Sequence, residues 1–266
     1  KKATCKIFLE SNIKALNIHW LLDKQPVCDP EAVFFAFPLN IEKSNFKLDL
    51  NGISSEPNKD QLVGTAKDWY PVHRYIDVSD DTKGLVMSSL DAPLLNLGGI
   101  TAGKWTGKGN LEPEGPHLYS WAINNHWMVN FKASQEGEIP FRFRFQTHTE
   151  PGNVSSAFRF GADSLTPPIV LRDKKRNSDK TEDSFININS PNINYTLKPA
   201  NNSNGIILRI QNLTNDNVSC NFKFNLNINK CQLCDLLEND LDNINIKDNG
   251  FALSFEGNQI KTIRVN

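Results

Sequence analysis

Few residues of this chain have types and spacings that could carry chemistry, and most of them fail on context. Gly98 to Lys104 reads GGITAGK, the spacing of a phosphate-binding loop. That loop works only when Ser or Thr follows the Lys to hold magnesium and a helix starts there, aiming its N–H groups at the phosphates. Here Trp105 follows, and Gly107, Gly109 and Pro113 stop any helix. The stretch reads instead as a surface loop presenting Trp105. Cys231 and Cys234 have metal or redox spacing, but a structural zinc needs four ligands and no second pair or nearby His exists in the sequence. Cys220 is the one thiol that folding could bring near, and buried or incidental thiols remain the better reading. Five cysteines, an odd number, argue against a disulfide scaffold.

The histidines, His19, His73, His117, His126 and His148, form no metal spacing, and no Gly-x-Ser-x-Gly nucleophile motif occurs. His126 within Asn124-Asn125-His126-Trp127 and His73 beside Arg74 stand out, yet a single strand histidine more often makes an ordinary hydrogen bond. Asp80-Asp81 and the Glu112/Glu114 pair sit in turn-like contexts and do not read as an acid–base couple. Sequons begin at Asn153, Asn194, Asn201, Asn212 and Asn217, but so Asn-rich a chain produces them by chance. The aromatic residues are a different matter. Trp69, Tyr70, Trp105, Trp121 and Trp127 gather in one half of the chain, at strand ends and in the Gly-rich loop. Rings near Asn, His and Arg can serve as sugar platforms, although Trp on a sheet is usually core.

These residues must be positioned by strands. Tyr119 to Phe145 reads as two antiparallel strands around Gln135–Glu138, the second alternating Phe141, Phe143 and Phe145 with Arg142 and Arg144. A period of two puts the rings on one face and the guanidinium groups on the other. Leu16, Ile18 and Trp20 alternate in the same way. Val33 to Phe37 is a continuous apolar run, as for a strand buried on both faces, and Phe46, Leu48 and Leu50 lead into the turn signal Asn51-Gly52. Asp91 to Pro116 is too rich in Gly and Pro for a helix. Beyond Phe160 the composition shifts, and Ser164 to Asp183 carries a Pro pair and the charged run Arg172–Arg176. Then Ile193–Leu197, Ile206–Ile210, the long alternation Val218–Ile228, Phe251–Phe255 and Ile260–Val265 read as strands, with a helical turn expected only at Cys231–Asp242.

At 266 residues the chain can bury a sizeable core, and a net charge of −1 gives no electrostatic case for nucleic acid or an anionic surface. No apolar run approaches the ~20 residues of a membrane span. Lys1 to Ile7 already looks like a strand in progress, so the chain reads as a piece of a longer polypeptide.

Several segments, in order, resemble the C-terminal β region of glycoside hydrolase family 38, the α-mannosidases. They are His19–Lys24, Pro30–Pro38, Gln61–Gly64, Asp68–Tyr70, Leu90–Leu94 with Gly98, and Asn124–Trp127 leading to Asn130-Phe131. Leu197–Pro199, Gly205–Asn212 and Ile260–Arg264 are similar to the family's final sandwich. The resemblance implies an all-β chain. Residues 1–163 would form a large antiparallel supersandwich like galactose-mutarotase domains, 164–184 a linker, and 185–266 a smaller β-sandwich. It also implies that the catalytic zinc and its His and Asp ligands lie in a separate N-terminal catalytic domain of the same polypeptide. No catalytic, cofactor or metal residue is therefore expected in this chain. Mannose-containing glycans are the implied ligands, with Trp69, Trp105, Asn125 and Trp127 as the residues that would touch them. A free-standing carbohydrate-binding or adhesive β-sandwich is the alternative. Either way, less than about a tenth of the residues should be helical, against the usual third.

Overall fold

The computed structural model describes residues 2–101, 113–126, 132–150, 152–172 and 182–266. The chain divides into two compact units, Lys1–Pro168 and Ile169–Asn266. The first contains β1 (Lys2–Leu9), β2 (Leu16–Lys24), β3 (Ala32–Phe37), β4 (Asn45–Leu50), β5 (Ile53–Ser55), β6 (Tyr70–Pro71), β7 (Ile76–Ser79), β8 (Gly84–Ser89), β9 (Leu94–Leu97), β10 (Leu118–Asn124), β11 (Gly137–His148) and the helix α1 (Val154–Leu165). A seven-stranded antiparallel sheet runs β1-β2-β11-β8-β7-β4-β5, and a four-stranded sheet runs β3-β10-β9-β6.

The alternation in β11 fixes how the two layers meet. Phe141, Phe143 and Phe145 are buried, and each faces Trp20, Ile18 and Leu16 of β2 in register. From the other sheet Phe35 and Phe37 interleave with them, with ring centroids 4.9–5.4 Å apart. Arg142 and Arg144 take the opposite face, as a period of two requires. At the far edge, Asn51 (φ 56°) and Gly52 (φ 88°) both adopt left-handed backbone, and the hairpin β4–β5 closes through them. Two left-handed residues are what a tight hairpin turn matching strand twist demands.

Three expectations are corrected. The segment Tyr119–Phe145 is not a hairpin: β10 pairs with β3 and β9, whereas β11 pairs with β2 and β8. The two strands thus belong to different sheets, so that the Phe row of β11 faces Phe35 and Phe37 rather than extending their sheet. Val33 to Phe37 is a strand, but it is half-buried. The stretch after Gly152 is a helix, with the Asn153 side chain accepting from the Ser156 N–H at 3.0 Å as its N-cap. Phe158 and Phe160 imitate strand alternation, and Gly161 lowers helix propensity, which hid the helix. The glycine is needed there, because a Cβ would lie 2.7 Å from the Arg74 carbonyl oxygen. The helix also runs through Ser164, where the connection between units was expected to begin.

The second unit pairs a three-stranded sheet with a five-stranded one. The first comprises β12 (Ile186–Ile188), β15 (Val218–Phe224) and β18 (Gly250–Phe255). The other, in order, is β13 (Ile193–Pro199), β14 (Ile206–Asn212), β19 (Ile260–Val265), β16 (Cys231–Cys234) and β17 (Asp240–Ile244). Phe222 stacks on Phe251 at 5.0 Å within its core. The expected helical turn at Cys231–Asp242 is instead the β16–β17 hairpin, because Cys231 and Cys234 are buried against β19. The alternation expected to reach Ile228 stops earlier: β15 ends at Phe224 and Leu226 is exposed. The chain is nearly all β, as expected from its sequence.

Phe143 is fully buried, whereas Arg142 is about half exposed and paired with Asp91. We therefore expect Phe143→Ala to cost about 3–5 kcal/mol, and Arg142→Gln at most about 1 kcal/mol. Urea titration of the two variants checks this; equal losses would mean that the ring row is not the core.

Candidate functional site

Of the aromatic residues singled out from the sequence, Trp69 and Trp121 meet at the four-stranded sheet, while Tyr70 is part of the core. Trp121 on β10 lies opposite Phe34 on β3, and their rings stack at 5.3 Å with 22° between planes. Trp69 packs edge-on against Trp121 at 5.5 Å, and His126 approaches it at 6.3 Å. Trp121 is buried by this company, while Trp69 stays half-exposed. The patch is therefore a braced indole with one accessible ring. Trp105 and Trp127 lie outside the described residues.

Asn125 is brought to the same end of β10, but with its amide occupied. Its Nδ2 donates to the carbonyls of Val27, Asp29 and Ala133 at 2.9–3.1 Å, and its Oδ1 accepts from the Glu31 N–H at 2.5 Å. The side chain is buried and holds the start of the crossover to the segment before β3. Its role in the described fold is positional.

Beside the patch lies a cleft of about 170 Å³ lined by Lys67, Asp68, Tyr70, Gly99, Thr101 and Glu114. Asn96 shapes it by donating to the Asp68 carbonyl at 2.5 Å and the Thr101 hydroxyl at 3.0 Å. Gly98 (φ 73°) is required because the Pro113–Glu114 backbone occupies the place of a Cβ. Its glycine thus serves close packing of two loop segments, not a phosphate. The cleft offers carboxylates, an ammonium and hydroxyls next to a ring, which is hydrogen-bonding chemistry for a polar ligand.

The remaining candidates are scattered. His117 Nδ1 accepts from the Leu39 N–H at 3.2 Å, His73 is exposed, and His19 meets the Phe8 ring edge-on at 4.9 Å. His148 Nε2 lies 2.9 Å from Asp77 Oδ2. Burial pushes the Asp77 carboxyl above the usual range, opposed in smaller measure by Ser79, His148 and Lys47. Burial also pushes the Cys220 and Cys231 thiols up to about 11. For Cys234, burial and then Asp240 raise it in the same direction. Among the described residues no group of three His, Cys, Asp or Glu stands close enough to hold a metal ion.

Comparison with known proteins bears on the whole chain. Residues 194–263 match the family model of the glycosyl hydrolases family 38 C-terminal beta sandwich domain. A crystal structure of a glycosyl hydrolase family 38 protein from Enterococcus faecalis superposes with a TM-score of 0.73 over 99% of this chain at 13% identity. An alpha-mannosidase from Enterococcus faecalis V583 superposes with a TM-score of 0.72 over 99% at 14% identity. The chain spans 30% and 29% of the lengths of those two solved chains. No curated protein sequence matches it. The resemblance read from the ordered sequence segments is thus borne out.

The raised thiols yield a direct expectation. Thiolate is the reactive species, so at pH 8 a thiol reagent should label exposed Cys28 first and Cys5 next. Cys220, Cys231 and Cys234 should react only on unfolding. Mass spectrometry of timed alkylation reads this; rapid native labelling of Cys231 and Cys234 would restore them as a redox or metal pair.

Proposed function

We propose that this chain, which resembles the C-terminal β region of glycoside hydrolase family 38 in sequence over 194–263 and in fold throughout, is the non-catalytic β region of an α-mannosidase-like hydrolase. It supports a catalytic domain of the same polypeptide and helps shape the site for mannose-containing glycans. The observation that carries this reading is one of proportion: nearly the entire chain superposes on less than a third of the solved relatives.

The zinc that the family implies does not fit the residues described. The histidines lie apart, and the Cys231 and Cys234 thiols are buried, which raises both above their usual range and disfavours thiolate, with Cys234 donating toward Asp240 at 3.4 Å. No step is therefore routed through a metal in this chain. Retaining glycoside hydrolysis needs a nucleophilic carboxylate and an acid–base carboxyl about 5–5.5 Å apart, and in this reading the catalytic domain supplies both. Among the described residues Trp69 is a half-buried ring placed to meet a sugar.

The test is turnover of aryl α-mannosides. The purified chain should melt cooperatively and leave them intact with or without zinc. A longer polypeptide carrying it beside a zinc-binding α/β domain should cleave them, and a chelator should stop it. Turnover by the isolated chain, abolished by changing Asp68, Glu114, His73 or His126, would place the chemistry here and overturn the reading.

A further inference from the structure

The polar face of the seven-stranded sheet forms one wall of a second cleft, larger than the one beside Trp69. A groove of about 780 Å³ runs between β1, β2 and β11 on one side and α1 on the other. That is within the range of small-molecule sites. A hydrogen-bonded chain crosses it. Asn17 Nδ2 donates to Glu10 Oε1 at 3.2 Å, and Arg144 Nε donates to Asn17 Oδ1 at 3.1 Å. Arg144 Nη1 then donates to Ser164 Oγ at 3.2 Å, which donates to the Phe160 carbonyl at 2.6 Å. Asn17 and Ser164 are buried, with 2% and 6% exposure, so the middle of the chain is fixed while Glu10 stays exposed. Rings complete the groove. Arg144 lies over Phe160 at 5.6 Å, and exposed Phe8 packs edge-on against His19.

The composition selects the ligand. Arg144, Arg159, Glu10 and Asp163 all line the groove, two cations with two carboxylates, so an anion meets a balanced field. An apolar ligand would strip water from these groups without replacing its hydrogen bonds, which is unfavourable for each of them. A neutral polyhydroxylated ligand avoids both penalties. Its hydroxyls can donate to Glu10 and accept from Arg144, and its C–H face can lie against Phe8.

We propose that the groove between α1 and strands β1, β2 and β11 binds a neutral oligosaccharide, at a site separate from the Trp69 patch. The groove stands on its own geometry; only the choice of mannose as first probe rests on the hydrolase reading.

The experiment titrates the 266-residue chain with linear α-mannotriose, maltotriose and a trimer of galacturonic acid, read by calorimetry and saturation-transfer NMR. At least one neutral trimer should bind. Phe8→Ala, which removes the ring under the C–H face, and Glu10→Gln, which removes a hydrogen bond to a charged group, should each weaken it roughly tenfold. Phe8 is exposed and Glu10→Gln keeps an acceptor for Asn17, so the melting temperature should hold, and Leu241→Ala, at an exposed position of the second unit, should leave the affinity unchanged. Binding of maltotriose but not mannotriose would keep the groove and count against the mannosidase reading. Three results would overturn the groove: no neutral trimer bound, binding indifferent to both groove variants, or tighter binding of the acidic trimer. None of these depends on zinc-dependent turnover, so the two readings fail separately.

Discussion

The first unit depends on one interlock: Phe35 and Phe37 from one sheet set between Phe141, Phe143 and Phe145 from the other. Aromatic pairs at such distances contribute about 0.5–1.5 kcal/mol each beyond the area they bury. Once these rings face inward, the period of two leaves no choice for their neighbours. Arg142, Arg144, Gln146 and His148 must share the opposite face, and that face must be solvated, paired or covered. The helix α1 covers part of it by an unusual route. Arg74 lies over Phe158 at 4.6 Å and Arg144 over Phe160, so the helix settles on a polar sheet through cations on rings. The groove exists because the helix covers only part of the face.

The second unit solves a different problem, a buried charge. Arg264 on β19 is only 3% exposed, and its guanidinium donates to Asp240 Oδ1, Asn202 Oδ1 and the carbonyls of Asn204 and Glu238 at 2.6–3.0 Å. Lys198 and the Asn201 N–H then bind the Glu238 carboxylate, which lies below its usual range because of those bonds. One arginine thus fixes two loops at one end of the five-stranded sheet. A buried charge is tolerable only when satisfied in this way. The result ties the conformation of the β16–β17 hairpin to that of the 201–204 turn.

Much of the fold was legible because inward positions repeat every second residue over long stretches, as in β2, β11 and β15. The left-handed pair Asn51-Gly52 was legible for a similar reason, since few other residues accept that backbone. What escaped was whatever depends on partners far away in sequence. Nothing in Tyr119–Phe145 says that its two strands serve different sheets, because either pairing buries the same rings. Residues 154–165 hid a helix behind two phenylalanines spaced like a strand. Missing the helix meant missing the groove, whose parts, Phe8, Asn17, Arg144 and Ser164, lie far apart in the chain. Trp69, singled out from the sequence as a ring that could meet a sugar, is half-buried. Asn125 was not legible as a clamp, since its partners Val27, Asp29, Glu31 and Ala133 meet it only in the folded chain.

The ring interlock is open to direct measurement by a double-mutant cycle on Phe37 and Phe143, whose centroids lie 4.9 Å apart. Each is changed to Leu singly and together, and the unfolding of the first unit is followed by near-ultraviolet circular dichroism in urea. Contact across the sheets predicts a coupling energy of about 0.5–1.5 kcal/mol between the two positions. Strict additivity would contradict it, and the two sheets would then be held by burial alone.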